Sequence, residues 1–520
     1  MVFASYAFAF GFLPIVLSVV LGTSAIGHRT AAKLLLFIAS LVFYAWWNPP
    51  YLAFLLAILA FNYVIVSWLV TTPPNKRFRR AVMIGGVVAN IATLLYFKYW
   101  TFLVGQVGAV LHEPLEPLAL AMPLGISFIV FQKIALLVDA YSGQIKRLGI
   151  LEYGLFVSFF PQLISGPIVH HREVIPQFES ENSVRYSATG VPVAIAFVVI
   201  GAFKKVVIAD SFSSHVAAIF DSQSQVGFIA AWEATVSYTL QVYFDFSGYS
   251  DMAIGLGLLF GVRLPFNFNS PLKATSPIDY WGRWHITLTR FLTAYIYNPL
   301  ALRATRRRVA LRLPIKRSGV MTPAAFAALL ALPTFVTMFV AGAWHGAGYQ
   351  FMVFGVLHGV YLVANHGWRV LRTREHLDLA PSTASVAACR AATLVAVILA
   401  IPFFRAESVS GAWSIVSSML GVHGLSAGAS AFERSFVFLI VAVFIASQVL
   451  PNTQEVLHDA LERVTSPLAK HPGETSISRG RSWPRIVWRP TIWWACALGA
   501  VAWYVILHLA RPSEFLYFQF

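Results

Sequence analysis

Long apolar runs, most of them close to twenty residues, alternate along this chain with short basic stretches and with breaks carrying proline and glycine. They fall at 6–21, 34–47, 51–70, 82–97, 118–140 and 189–208, then at 227–260, 319–341, 351–368, 386–404, 433–450 and 490–508. A helix of about 20 apolar residues crosses the hydrocarbon core of a bilayer. The pattern therefore predicts an all-α polytopic membrane protein with roughly a dozen transmembrane or re-entrant helices. The stretch from Glu152 to His171 is apolar but broken by Pro161, Gly166 and Pro167. Proline removes a helical donor, so a re-entrant element is expected there rather than a straight span. No internal repeat of fixed period is visible, which weighs against transporters built from repeats.

Composition strengthens this reading. With 58% hydrophobic and 12% charged residues and a mean hydropathy of +0.69, a soluble globular protein is excluded. The net charge of +16 sits in short basic runs between apolar segments. Such runs read as topology signals and contacts to membrane lipid, not as a nucleic-acid surface. No cleavable signal peptide is expected, because the first apolar stretch has no basic residue before it and His28, Arg29 and Lys33 after it. The positive-inside rule then puts Lys76, Arg77, Arg79 and Arg80 in the cytoplasm, with Lys146 and Arg147 on the same side. Arg303, Arg306, Arg307, Arg308, Arg312, Lys316 and Arg317 precede a central apolar hairpin, and Arg369, Arg372 and Arg374 follow it. Both ends of that hairpin are expected to be cytoplasmic. Cys389 and Cys496 lie far apart and suggest neither a disulfide nor a metal motif.

Between the two arms of the hairpin stands GAWHGAG, Gly342 to Gly348. Glycines at 342, 346 and 348 are expected to turn the chain tightly and let a substrate approach its backbone. An ionisable residue in such a turn, here His345, reads either as a functional group or as a headgroup-level anchor. A second concentration of polar residues runs from Tyr238 to Leu300. Asp245 and Asp251 lie there in apolar surroundings, where a carboxylate is costly unless paired with arginine, used as a cap or engaged in function. PFNFNSP reads as a loop. In RWHITLTRFL, helical spacing would put His285, Leu288 and Leu292 on one face while Arg283 and Arg290 snorkel. His358 can line an interior or sit in the core, and His170 and His171 read as interfacial.

These strings together resemble the membrane-bound O-acyltransferases, especially their alginate O-acetyltransferase-like bacterial branch. The likeness runs through FVSFFPQLISGPIV (156–169), YFDFSGYSDMAIG (243–255), RWHITL (283–288), AWHG (343–346), FFRAES (403–408), PNTQE (451–455) and the terminal FLYFQF (515–520). It implies one membrane domain over 1–520 with its catalytic core at about 150–370, and helices around an acyltransferase tunnel. It further implies that His345 is the essential histidine and His285 its companion. Trp344, Gly346, Asp245, Asp251, Arg283, Trp284 and His358 would then contact substrate or line the tunnel. Acetyl-CoA would be the donor, with no bound cofactor and no metal. An extracytoplasmic polysaccharide would be the acceptor, reached directly or through a periplasmic or extracellular acetyltransferase, and the site of action the bacterial inner membrane. Neutral imidazole suits removal of the acceptor's hydroxyl proton, and Trp344, His285 or backbone N–H groups would serve the oxyanion. Where alginate-type members tend to read RDYLYIPLGG, this chain has TAYIYNPLAL (293–302), which leaves the acceptor open. The chain shows no phosphate-binding glycine loop, HExxH motif or serine elbow. A transporter, or a scaffold for a polysaccharide export complex, is the rival reading.

Overall fold

A computed structural model describes residues 2–74, 77–113, 115–116, 121–180, 183–185, 187–221, 226–317, 320–374, 382–425, 434–465, 486–510 and 516. Lys76 and all of the terminal FLYFQF except Leu516 lie outside the described residues. The described chain is helical apart from loops and a two-residue antiparallel pair, Lys316–Arg317 with Val320–Met321. Six helices among the described residues are long and apolar enough to cross a membrane: Ala7–Ala25, Pro50–Thr71, Phe78–Leu111, Gly190–Phe220, Pro323–His345 and Thr383–Arg405. Shorter helices such as Arg29–Ala45, Ile126–Tyr141 and Ile492–His508 accompany them.

The chain forms two compact units. The first comprises residues 1–208, 244–266 and 451–519. Its aromatic core joins Phe8, Phe12 and Phe43 to Phe160, which also meets Phe260 edge-on at 5.7 Å. FVSFFPQL thus supplies packing: helix Ile150–Ser158 ends, a single turn Phe160–Leu163 follows, and the chain stays non-helical until His171. Pro161 falls in the first turn after the break, where its missing N–H costs nothing. Buried Asn62 and Asn90 exchange amide hydrogen bonds of 3.2 and 2.8 Å, tying Pro50–Thr71 to Phe78–Leu94. Hydrogen bonds of this kind hold helices together where apolar side chains gain nothing by leaving lipid.

Arg79 departs from the topology-signal reading. It is buried, and its guanidinium donates to the carbonyls of Thr72 and, at 3.0 Å, Tyr141. It satisfies C-terminal carbonyls that the helices themselves leave unpaired.

The second unit comprises residues 209–243 and 267–450. Its centre is the hairpin of Leu332–His345 and Tyr349–Arg374. Here the expected turn is corrected. Gly342 through His345 are still helical, so His345 is the last residue of its helix and only 346–348 break the chain. Gly346 has an extended backbone (φ −163°) that any residue could adopt. What the glycines supply is room: a Cβ on Gly342 would strike the Phe351 carbonyl and the backbone of Gly355, and one on Gly346 the Phe351 ring.

Candidate active site

Within the second unit, His345 is 3% exposed at a helix C-terminus, with its ring 5.0 Å from Trp344, 5.1 Å from Phe404 and 6.2 Å from Phe354. The helix places Trp344 beside it, and the returning helix places Phe354 opposite. FFRAES contributes Phe404 from the short turn Pro402–Arg405.

His285 is reached through Trp344, whose ring lies 6.0 Å away. It is wholly buried, but it does not share a helical face with Leu288 and Leu292 as the spacing suggested. It stands before helix Ile286–Leu292 in a left-handed conformation (φ 42°). Asn267 holds it there. The Asn267 backbone carbonyl accepts the N–H of Ile286, and its side-chain Oδ1 accepts from the Thr287 backbone at 3.3 Å and the Thr287 hydroxyl at 2.9 Å. Those donors identify the atom as the amide oxygen. The His285 Nδ1, 3.0 Å from the same oxygen, therefore carries the proton, and Nε2 is the accepting face.

His358 has the opposite tautomer. Trp281 can only donate, and its Nε1–H points at His358 Nδ1 at 3.2 Å. Nε2 is then the N–H of a neutral ring, is buried, and has no hydrogen-bond partner. Phe354 packs edge-on against both rings, 4.5 Å from His358 and 6.2 Å from His345. The structure thus gathers His345, Trp344, His285 and His358 into one aromatic-lined cluster. Of the two rings, His358 thus presents an N–H donor at Nε2 and His285 an acceptor at Nε2.

The other expected residues fall elsewhere or are engaged. Arg283 pairs with Asp279 at 2.7 Å and donates to the Asn269 carbonyl at 3.3 Å, so it braces the loop instead of snorkelling. Trp284 stacks on Tyr280 at 5.9 Å and edges Phe268 at 5.1 Å. Asp245 and Asp251 belong to the first unit and pair with lysine, not arginine. Asp245 Oδ1 lies 2.6 Å from Lys205 Nζ, and Asp251 Oδ2 lies 2.7 Å from Lys204 Nζ and accepts from Thr453 at 2.6 Å. Both lysines lie in a π-helical turn, Phe203–Ala209. The sequence alone gave Asn267 and Trp281 no role; the signal for both was their place in PFNFNSP and just before RWH.

His170 and His171, read from the sequence as interfacial, have a specific partner. They converge on buried Asp139, with His170 Nε2 at 2.8 Å and His171 Nδ1 at 3.2 Å from its Oδ2. The three offer metal-ligand atoms within 4.8 Å of one another. His170, however, is the cap of helix His171–Glu179, and its Nδ1 accepts the Arg172 N–H. A metal on Nε2 would need a proton on that Nδ1, facing a donor, so the cluster does not suit a metal.

A polytopic helical protein with buried histidines, whose donor and acceptor nitrogens are set by neutral partners, holds groups suited to moving a proton away from bulk water. Comparison with known proteins gives the family. The membrane-bound O-acyltransferase profile matches residues 86–311. The peptidoglycan O-acetyltransferase of Helicobacter pylori is 36% identical, with 82% of this chain and 81% of that protein covered. A probable alginate O-acetylase of Azotobacter vinelandii is 34% identical, over 81% and 78% of the two chains. A teichoic acid D-alanyltransferase of Bacillus subtilis is 25% identical over 54% of this chain. The chain belongs to the membrane-bound O-acyltransferase family and is an O-acyltransferase.

Proposed function

We propose that this enzyme transfers acetyl from cytoplasmic acetyl-CoA across the bacterial inner membrane for O-acetylation of an extracytoplasmic polysaccharide, with His345 as general base. The observation that carries the reading is the seating of His345 at a buried helix end, walled by Trp344, Phe354 and Phe404. Water is scarce in such a setting, so a neutral imidazole keeps its lone pair for the acceptor hydroxyl. As the oxygen attacks the thioester carbonyl, its proton passes to His345; when the carbon–sulfur bond breaks, the imidazolium returns that proton to the sulfur, which departs as the thiol. The His358 N–H, fixed by Trp281, is suited to the charge that develops on the carbonyl oxygen. His285 presents an acceptor nitrogen and serves by holding the acceptor or a proton.

The peptidoglycan and alginate O-acetylating relatives support acetyl as the group and a cell-envelope polymer as the acceptor. A periplasmic or extracellular acetyltransferase partner would complete the delivery. The test is polymer-linked acetate released by mild base from cells carrying wild type, His345→Ala, His345→Gln or no protein, with membrane abundance measured in parallel. Acetate falling by about 10²-fold or more in both variants at normal abundance is expected. Unchanged acetate in His345→Gln removes the base role and leaves that position to orient substrate; unchanged acetate in His345→Ala removes the histidine from the mechanism.

A further inference from the structure

A second site stands out in the first unit. A cavity of about 710 Å3 is lined by Gln144, Lys146, Arg147, Glu152, His171, Arg172 and Glu179, with Ile145, Gly149, Ile175 and Pro176. That volume lies within the range of small-molecule sites. Its charge is not spread evenly. Glu152 is already neutralised by Lys33 at 3.1 Å, which leaves Glu179 against three exposed cations, Lys146, Arg147 and Arg172. Arg172 is held in place, since its Nη2 donates to Gln144 Oε1 at 2.7 Å.

His171 gives the cavity a chemical preference. It is only 7% exposed. Its Nδ1 faces the Asp139 carboxylate, which accepts only, while Nε2 is buried with no hydrogen-bond partner. Burial holds this imidazole below its ordinary pKa, against the raising effect of Asp139. The ring is therefore neutral at pH 7, with Nδ1–H toward Asp139 and an Nε2 lone pair left over. A buried acceptor left unmatched costs free energy unless something donates to it.

We propose that this cavity binds the phosphate-bearing head of a ligand that also carries a hydroxyl or amino group. The phosphate sits among Lys146, Arg147 and Arg172, and the hydroxyl or amine donates to His171 Nε2. Arginine suits phosphate oxygens through paired N–H donors, and lysine adds a point charge. Two ligands share this chemistry: the phosphorylated nucleotide end of a thioester donor, and the head of an anionic glycerophospholipid. The basic runs put the site on the cytoplasmic side, where both are present. The assignment holds whichever acceptor polymer the enzyme serves.

The full-length protein in phosphatidylcholine nanodiscs would be titrated with adenosine 3′,5′-bisphosphate. In parallel, retention of phosphatidylglycerol from mixed vesicles would be read by native mass spectrometry. Lys146→Gln, Arg147→Gln and Arg172→Gln remove exposed charges and leave the fold intact; His171→Asn tests the acceptor. Binding of either probe that weakens about tenfold or more for each cation lost supports the site. The responding probe tells which source supplies the head. Binding of neither probe, or equal binding by the triple variant, overturns it. The His345→Ala protein should bind as wild type does, so loss of transfer and loss of this site are read separately.

Discussion

At the scale of single residues, chemistry follows from which nitrogen of each ring is committed. Asn267 takes the His285 Nδ1–H and Trp281 fills the His358 Nδ1 lone pair, so two rings of identical composition present opposite faces. This makes His358 the group to test for oxyanion stabilisation. His358→Ala removes the donor and is expected to lower the rate of acetyl transfer by about 10²-fold, the scale of a lost oxyanion donor. Trp281→Phe keeps the indole's bulk in part but frees Nδ1, so the ring can adopt either tautomer. It should lower kcat more than it changes KM, because only the transition state needs the N–H. Equal damage to both parameters would mean that Trp281 and His358 merely pack. His345 and His285 were singled out in the sequence by the family resemblance that AWHG and RWHITL carry, since alone each histidine also reads as an anchor or a core residue. Their partners were not, since asparagine in PFNFNSP looks like ordinary turn chemistry and tryptophan is abundant throughout.

At the scale of elements, the apolar runs announced the helices, but not how they meet. Gly201 and Gly248 sit so close that a Cβ on either would come within 2.6 Å of the other's carbonyl oxygen. Small residues allow this approach in membrane helices, and no local pattern marks which glycines do so. The same crossing carries Lys204 and Lys205 onto Asp251 and Asp245. A buried ion pair is costly to break from one side, by about 3–5 kcal/mol, but cheap to replace as a whole. Lys205→Met should therefore lower the amount of folded protein and its Tm sharply, because Asp245 is 1% exposed and would lose its lysine partner. Adding Asp245→Leu should restore much of the loss. If the double variant is as poor as the single, the pair does more than hold the crossing, and the carboxylate regains a claim to function. The turn at GAWHGAG shows the same limit. Glycine content suggested a tight turn from Gly342 onward, whereas packing against Phe351 and Gly355 accompanies a helix that continues through His345. That extra turn is what fixes the histidine against Phe404.

At the scale of the whole molecule, the distribution of charge makes a topological claim that labelling can check. Basic residues crowd 303–317 and 369–374 while the break at 346–348 carries none. Lipid-facing cations are retained on the cytoplasmic side, so the hairpin should enter and leave from the cytoplasm with its break toward the opposite face. Buried arginines weaken a simple count: Arg308 donates to the Pro314 carbonyl at 2.6 Å and to that of Ala324 at 3.2 Å, and Arg79 is similarly engaged. The remaining exposed cations still favour one side. Ala310, Tyr349 and Leu371 are exposed positions at the three points of interest. Each would be changed singly to cysteine after Cys389 and Cys496, both exposed, are replaced. An impermeant maleimide added to intact cells should label Tyr349→Cys and spare Ala310→Cys and Leu371→Cys, which become reactive only in inverted vesicles. Labelling of all three from one face would mean that the hairpin does not cross. His345 would then be reached from a single side of the membrane, and direct delivery of acetyl to an external polymer through this site would fail on geometry before any chemistry is measured.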